Sequence, residues 1–169
     1  MEISRAFVAH SAKLLRDEFF PRIRIAVEQL TDEQVWWRPN EASNSIGNLI
    51  LHLCGNVTQW MIGGVGNLPH TRERQKEFDE RSLIPQQELL TTLRTTIDKA
   101  EEVLKDLDAS TLNERRMIQG NDVTVLQAIY HVVEHFSMHT GQILMLSKII
   151  TARDLKLYEF LGGAAKKRW

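Results

Sequence analysis

Residues 131–142 read HVVEHFSMHTGQ, which places His131, His135 and His139 at intervals of four with Gln142 close behind. Half of the chain's six histidines therefore fall in one short segment. On an α-helix each residue turns the direction by about 100°, so with His135 at zero His131 lies at about −40°, His139 at about +40° and Gln142 at about −20°. Ala128 and Leu146, at about +20°, and Ile149, at about −40°, share that line. Histidines bracketed along a helix axis by apolar residues are predicted to face the interior.

Interior imidazoles need hydrogen-bond partners or a metal ion. His-x3-His is a helical spacing that supplies two ligands to one ion. Residues eight apart are separated by about 12 Å along the axis, while metal–nitrogen bonds are about 2.1 Å. One ion can therefore take His131 with His135, or His135 with His139, and a further ligand must come from another helix. The spacing leaves the choice open.

The rest of the chain reads as helices joined by loops. From Ile3 to Leu30, apolar residues Phe7, Leu14, Leu15, Phe19, Ile23 and Ala26 recur at helical spacing, with Pro21 expected to kink or split the helix. LTDEQVWWRPN follows: Thr31 with Gln34 forms a capping-box pattern, Leu30 and Val35 a staple, and Pro39 ends the short helix. Trp36 and Trp37 are read as packing residues. A second long helix is predicted from about Ser45 to Ile62, stopping at Gly63–Gly64. A third starts near Pro85 and carries Leu89, Leu93, Ile97, Ala100, Leu104 and Leu107 on one side. A fourth follows the Gly120–Asn121–Asp122 turn and runs to about Ile150. No alternating strand pattern stands out. The fold class is all-α with four long helices, a bundle, as a single domain over residues 1–169. The link 63–84 is long for a compact domain. It carries His70, Arg72, Arg74, Glu77, Phe78 and Arg81, and reads either as a solvated crossover with a short helical turn or as a lid that brings an arginine to the site.

Composition bounds the functions available. With 43% hydrophobic and 25% charged residues the chain is an ordinary globular one, and a net charge of −1 gives no ground for nucleic acid or an anionic membrane as partner. MEISRAFVAH lacks a signal pattern, and IGNLILHLCGNV is too short and too polar to span a bilayer, which predicts a cytoplasmic protein. Cys54 is the only cysteine, so no internal disulfide forms, which fits a reducing compartment.

The second long helix supplies a candidate further ligand. With His52 at zero, Ser45 lies at about +20°, Asn48 at about −40°, Asn56 at about +40° and Gln59 at about −20°. This narrow polar stripe holds no charged residue, whereas solvated faces usually carry Lys or Glu. It reads as a wet, enclosed cavity or, alternatively, as a plain solvent face. Cys54 points away from His52 and is not expected to share a metal with it.

IGNLILHLCGN and HFSMHTGQ, with WWRPN before the first of them, resemble the DinB/YfiT-like superfamily of metalloenzymes over nearly the whole chain. The resemblance implies a four-helix bundle of up-down-down-up connectivity, which requires the long 63–84 crossover between helices 2 and 3. It also implies one divalent metal ion, usually nickel or zinc, held by His52, His135 and His139. His131 then becomes a neighbour of the site, a pocket residue or a core histidine. A homodimer is a further expectation of the resemblance.

Three neutral nitrogen ligands leave a dipositive ion with open positions, the catalytic arrangement and not the closed structural one. Such an ion can activate water for attack on an ester or amide, or hold a thiol as thiolate for attack on an electrophile. Characterised relatives in the superfamily include transferases and isomerases that use a low-molecular-weight thiol, mycothiol or bacillithiol. The ranking is therefore a thiol-dependent S-transferase acting on a small-molecule substrate first, and a metal-dependent hydrolase second. A non-catalytic metal-binding or interaction module is the reading from a different class. Asn48, Asn56 and Gln59 are candidates for binding polar substrate groups, and Gln142 for orienting a ligand imidazole. Glu134 projects away from His135 and is not expected to act as general base.

Overall fold

The computed structural model describes residues 2–161 and 164–169. The chain opens with α1 (Glu2–Lys13), passes through a π-helical stretch at Leu14–Phe19 and continues as α2 (Phe20–Val27). Pro21 sits in the first turn of α2. Its ring cannot accept the regular hydrogen-bond ladder of the preceding turn, and the wider π turn lies where that ladder is lost. The backbone stays right-handed helical through the junction.

The short helix α3 (Asp32–Trp36) has the expected capping box: the Thr31 hydroxyl accepts from Gln34 N–H, and the Gln34 side chain accepts from Thr31 N–H. Leu30 and Val35 are both buried. Trp36 is buried and donates through Nε1 to the Ile84 carbonyl at 2.9 Å, so it packs α3 against the end of the crossover.

Helix α4 (Ile46–Val57) starts at a second capping box, Ser45 with Asn48, and continues through a π-helical stretch at Thr58–Val65. Gly63–Gly64 therefore does not stop the helix. Gly64 is there for close approach, since a Cβ on it would meet Ile118 Cγ1 at 2.8 Å. The crossover contains one short helix, α5 (Arg74–Asp79), and leads into α6 (Gln86–Asp106). The last long helix, α7 (Val125–Thr151), begins at a third capping box, Thr124 with Gln127, and ends at Ala152 in the left-handed region with φ 52°. The core is formed where α4 packs on α6 and α7, and where α1 and α2 pack on α6 and α7. Phe136, Ile129, Ile143, Ile50, Leu53 and Leu93 are among its fully buried side chains.

The fold is mostly helical, but strands are present. β1 (Arg115–Ile118) and β2 (Asn121–Thr124) form an antiparallel hairpin, and β3 (Tyr158–Leu161) pairs antiparallel with β4 (Ala164–Lys167). The first hairpin turns at Gln119 and Gly120, with φ 53° and 77°, one residue earlier than the turn the sequence suggests. Strands of four residues are too short to show a period of two, which is why they pass unnoticed in the sequence. Among the described residues no helix is long and apolar enough to cross a membrane.

Candidate metal centre

The uncharged stripe of α4 is buried: Ser45, Asn48, His52 and Asn56 all lie inside the protein. A solvent face is thereby excluded, and the crossover is what covers it. The Asn48 amide donates to the carbonyls of Glu77 at 2.9 Å and Glu80 at 3.2 Å, while its oxygen accepts from Ser45 Oγ at 2.8 Å. Asn48 thus fastens the crossover to the start of α4 and does not join the histidines.

His52, on α4, meets His135 and His139, on α7. Each offers one ligand atom, and these atoms lie within 4.8 Å of one another. His135 Nε2 stands 2.8 Å from His52 Nε2. Nitrogens bound to one ion through bonds of about 2.1 Å sit about 3.0–3.4 Å apart, so the observed separation is close to that of two ligands.

Each outer imidazole is held from behind. His52 Nδ1 donates to Glu77 Oε2 at 2.8 Å, and His139 Nδ1 donates to Gln142 Oε1 at 2.7 Å. Both contacts put the ring proton on Nδ1 and leave Nε2 free to coordinate, the way ligand histidines are commonly oriented. His139 Nε2 is buried without a hydrogen-bond partner. An unpaired buried nitrogen is costly, and an ion at this point removes the cost. The donor set therefore fits a divalent metal.

Burial depresses the pKa of His135 to about 3, helped by the neighbouring His139, His52 and His131 and by Arg72. Burial also lowers His139, against the Gln142 hydrogen bond. Both are neutral near pH 7, as coordination requires.

Behind His52 lies a buried ion pair. Arg72 donates from Nε to Glu77 Oε1 at 2.7 Å and from Nη2 to Oε2 at 2.9 Å, a bidentate arrangement, and from Nη1 to Gln59 Oε1 at 2.8 Å. Burial by itself would raise the Glu77 carboxyl, but the hydrogen bonds and charge of Arg72 and the contact with His52 hold it below its ordinary value. Phe78 lies against the His52 ring at 4.7 Å between centroids, and the Arg74 guanidinium sits 4.9 Å from the Phe78 ring. Gly55 makes room for the pair: a Cβ there would fall 2.9 Å from Arg72 Nε and closer still to Glu77 Oε1.

His131 is placed differently. Its Nε2 faces the Asn56 amide at 3.2 Å, and its ring lies 4.2 Å from that of Trp60. It borders the three histidines through His135, at 5.4 Å between ring centroids. Asn56 Oδ1 is buried without a partner. Glu134 is exposed. Cys54 is buried on the side of α6, where burial pushes its thiol up to about 12.

Of the crossover residues, Arg72 and Glu77 stand behind His52; the lid reading of the sequence brings an arginine here without saying which one, and gives Glu77 no role. The signal for them was indirect: a polar stripe free of charge, containing a glycine, has to be covered by groups from elsewhere in the chain. A cleft of about 510 Å³ between α1 and α6 and one of about 720 Å³ between the end of α4's helical run and α6 both lie away from the histidines.

A search of the curated proteins gives no match. Among solved structures, a conserved protein from Enterococcus faecalis is similar, with a TM-score of 0.64 and 14% identity over 90% of this chain and 97% of that chain. At that identity the likeness is one of fold. The family described as "Protein of unknown function (DUF1572)" matches residues 2–161. The chain therefore belongs to the DUF1572 family.

Proposed function

We propose that this protein is a divalent-metal enzyme of the DinB-like four-helix type, with up-down-down-up connectivity, in which His52, His135 and His139 hold nickel or zinc and a low-molecular-weight thiol is transferred to a small electrophile. The observation that carries the reading is the convergence of three imidazole nitrogens in which His139 Nε2 is buried and unpaired. The sequence resemblance supports the thiol and the bundle topology.

When bound, a dipositive ion on three neutral nitrogens supplies an electrophilic centre that favours the ionised form of a thiol. The chain's own residues do the rest. Glu77 and Gln142 fix the tautomers of His52 and His139. Arg72 balances the Glu77 charge, so the ligand shell carries no net charge and the ion's own charge is left to attract an anion. Asn56 Oδ1, buried without a partner beside His131, is a candidate acceptor for a hydrogen bond from a bound molecule. The alternative of metal-assisted hydrolysis rests on the same ligand set.

The test is metal content by elemental mass spectrometry on untagged wild-type protein and on His52→Ala, His135→Ala, His139→Ala and His131→Ala. About one ion per chain is expected in wild type and in His131→Ala, and little in the other three. Ions retained by those three variants, or a wild type that resists nickel and zinc, would refute the site. Transfer of thiol to an electrophile, against hydrolysis of activated esters, then separates the two chemistries.

A further inference from the structure

Across the bundle from the histidines, which sit between α4 and α7, a cleft of about 510 Å³ runs between α1 and α6. The sequence of α1 is the reason it is open. Arg5, Ala9 and Ala12 follow at steps of four and three, so they share one line of the helix, at about 0°, +40° and −20°. A line that packs on a neighbouring helix usually carries large apolar residues at those steps. Two alanines stop short of the neighbour, and Val8 and Leu104, 8% and 2% exposed, give the cleft an apolar floor that Leu107 extends. The rim is basic, in a chain whose net charge is −1. Arg5, Lys13, Arg16 and Lys105 line it against Glu101 and Asp108. Both carboxylates are already engaged. Glu101 accepts from Arg16, which also donates to Asp17 at 2.7 Å and 3.0 Å. Asp108 accepts from Ser110 N–H at 2.9 Å, capping the turn at Ala109–Asn113, and Arg5 acts on it only through its charge. Among the described residues no carboxylate forms an ion pair with Lys13 or Lys105, one on each wall.

We propose that this cleft binds an amphipathic carboxylate, a free acid on an unbranched acyl chain. Three observations select that ligand. First, the charge surplus is positive and split between the walls, so the two oxygens of one carboxylate take Lys13 from α1 and Lys105 from α6 in charge-assisted hydrogen bonds. Second, the apolar stretch has a length. The two helices run antiparallel here, since Arg16 meets Glu101 while Arg5 acts on Asp108. From Lys13 back to Arg5 is about 12 Å along the axis. Val8, Ala9 and Ala12 fall within that stretch on one wall, and Leu104 and Leu107 on the other. An extended chain gains about 3.6 Å for every three bonds, so about ten carbons span it. Third, no uncharged polar side chain lines the cleft, so its side chains offer a ligand apolar surface and charge and nothing that reads a sugar, a base or an amide. The volume lies within the range of about 300–1,000 Å³ usual for small-molecule sites. The site shares no residue with the histidine centre and is independent of what that centre binds.

The test is calorimetric titration of the full chain with decanoate, kept below micelle formation, with proton–nitrogen correlation spectra to locate the binding. Wild type is expected to saturate at one decanoate per chain with a dissociation constant of about 0.1 mM, reasonable for a ligand of this size. Acetate, which has the charge without the chain, and decyltrimethylammonium, which has the chain with the opposite charge, are each expected to bind at least about 10-fold more weakly. Ala12→Leu puts a side chain into the trough and is expected to weaken decanoate by about 10-fold or more. Lys13→Glu/Lys105→Glu reverses the charge on both walls and is expected to do the same. Both lysines are exposed and Ala12 is half-buried, so far-ultraviolet circular dichroism should match wild type. Spectral shifts are expected on α1 and α6. Shifts centred on α4 and α7 overturn the proposal, since the carboxylate would then be at the histidine centre. Decanoate that does not saturate by about 1 mM overturns it, as do affinities unchanged in Ala12→Leu or in the lysine pair, or a cation that binds as well as the acid. Association with phosphatidylglycerol vesicles but not with free decanoate overturns it in favour of a membrane surface.

Discussion

Removal of the Glu77 carboxylate probes the candidate metal centre most directly. Glu77 has two duties, as acceptor for His52 Nδ1 and as counter-ion of Arg72, and the side chains of His52, Arg72 and Glu77 are only 5%, 5% and 10% exposed. Glu77→Leu strands a buried guanidinium, and removing one member of a buried pair costs about 3 kcal/mol or more. For a chain of 169 residues that corresponds to a fall in Tm of about 6–12 °C. The same substitution frees the His52 ring to rotate and to change tautomer, which costs about 10–100-fold in metal affinity. The double variant Arg72→Met/Glu77→Leu separates the two effects. It removes both charges, so most of the lost stability should return, while zinc affinity stays low because His52 Nδ1 still lacks its acceptor. Thermal denaturation of metal-stripped protein reads the first quantity, and competition calorimetry against a chelator reads the second. Zinc affinity unchanged in Glu77→Leu would refute the orienting role. A double variant no more stable than Glu77→Leu would refute the stranded charge.

Three further outcomes follow from the same geometry. Gly55→Ala should lower metal affinity to a similar degree, although alanine favours a helix by about 1 kcal/mol over glycine, because its methyl group displaces Arg72 and Glu77; calorimetry on that variant checks it. Metal-free protein should lose stability as pH falls. The folded-state pKa values of His131, His135 and His139 are lowered by burial, so below about 6.5 the unfolded chain binds protons that the folded chain does not. The loss from His135 extends toward pH 3. Between pH 7 and pH 5 it should amount to about 1–2 kcal/mol, read from urea midpoints, and a stability flat over that range would contradict the burial. Cys54, buried with its thiol pushed up to about 12, should resist a thiol reagent in native buffer and react once the chain is unfolded.

The long helices were legible in the sequence because their causes are local. The apolar period of α6 and the Thr31–Gln34 box depend on residues within a turn or two of each other, and both occur as read. The inward direction of His135 and His139 could be read from their helical neighbours in the same way. Gly63–Gly64 reads as a stop in the sequence, but the reasons for these glycines are tertiary: the His70 ring lies against Gly63 and Ile118 against Gly64.

Local periodicity is enough to locate the long helices and to line one of them with imidazoles at four-residue steps. Tertiary structure decided what those imidazoles do. Spacing allowed His131 with His135 as well as His135 with His139; packing α4 on α7 brings His52 to the second pair, and gives His131 to Asn56 and Trp60. It also turned the crossover from a connection into a wall of the site, with Arg72 and Glu77 set against a helix whose nearest contact residue is 13 positions away in the chain. The physical reason is that periodicity reports the direction of a side chain from its own helix axis, while a metal centre requires nitrogens a few ångströms apart on different helices. That distance is set by how the helices pack.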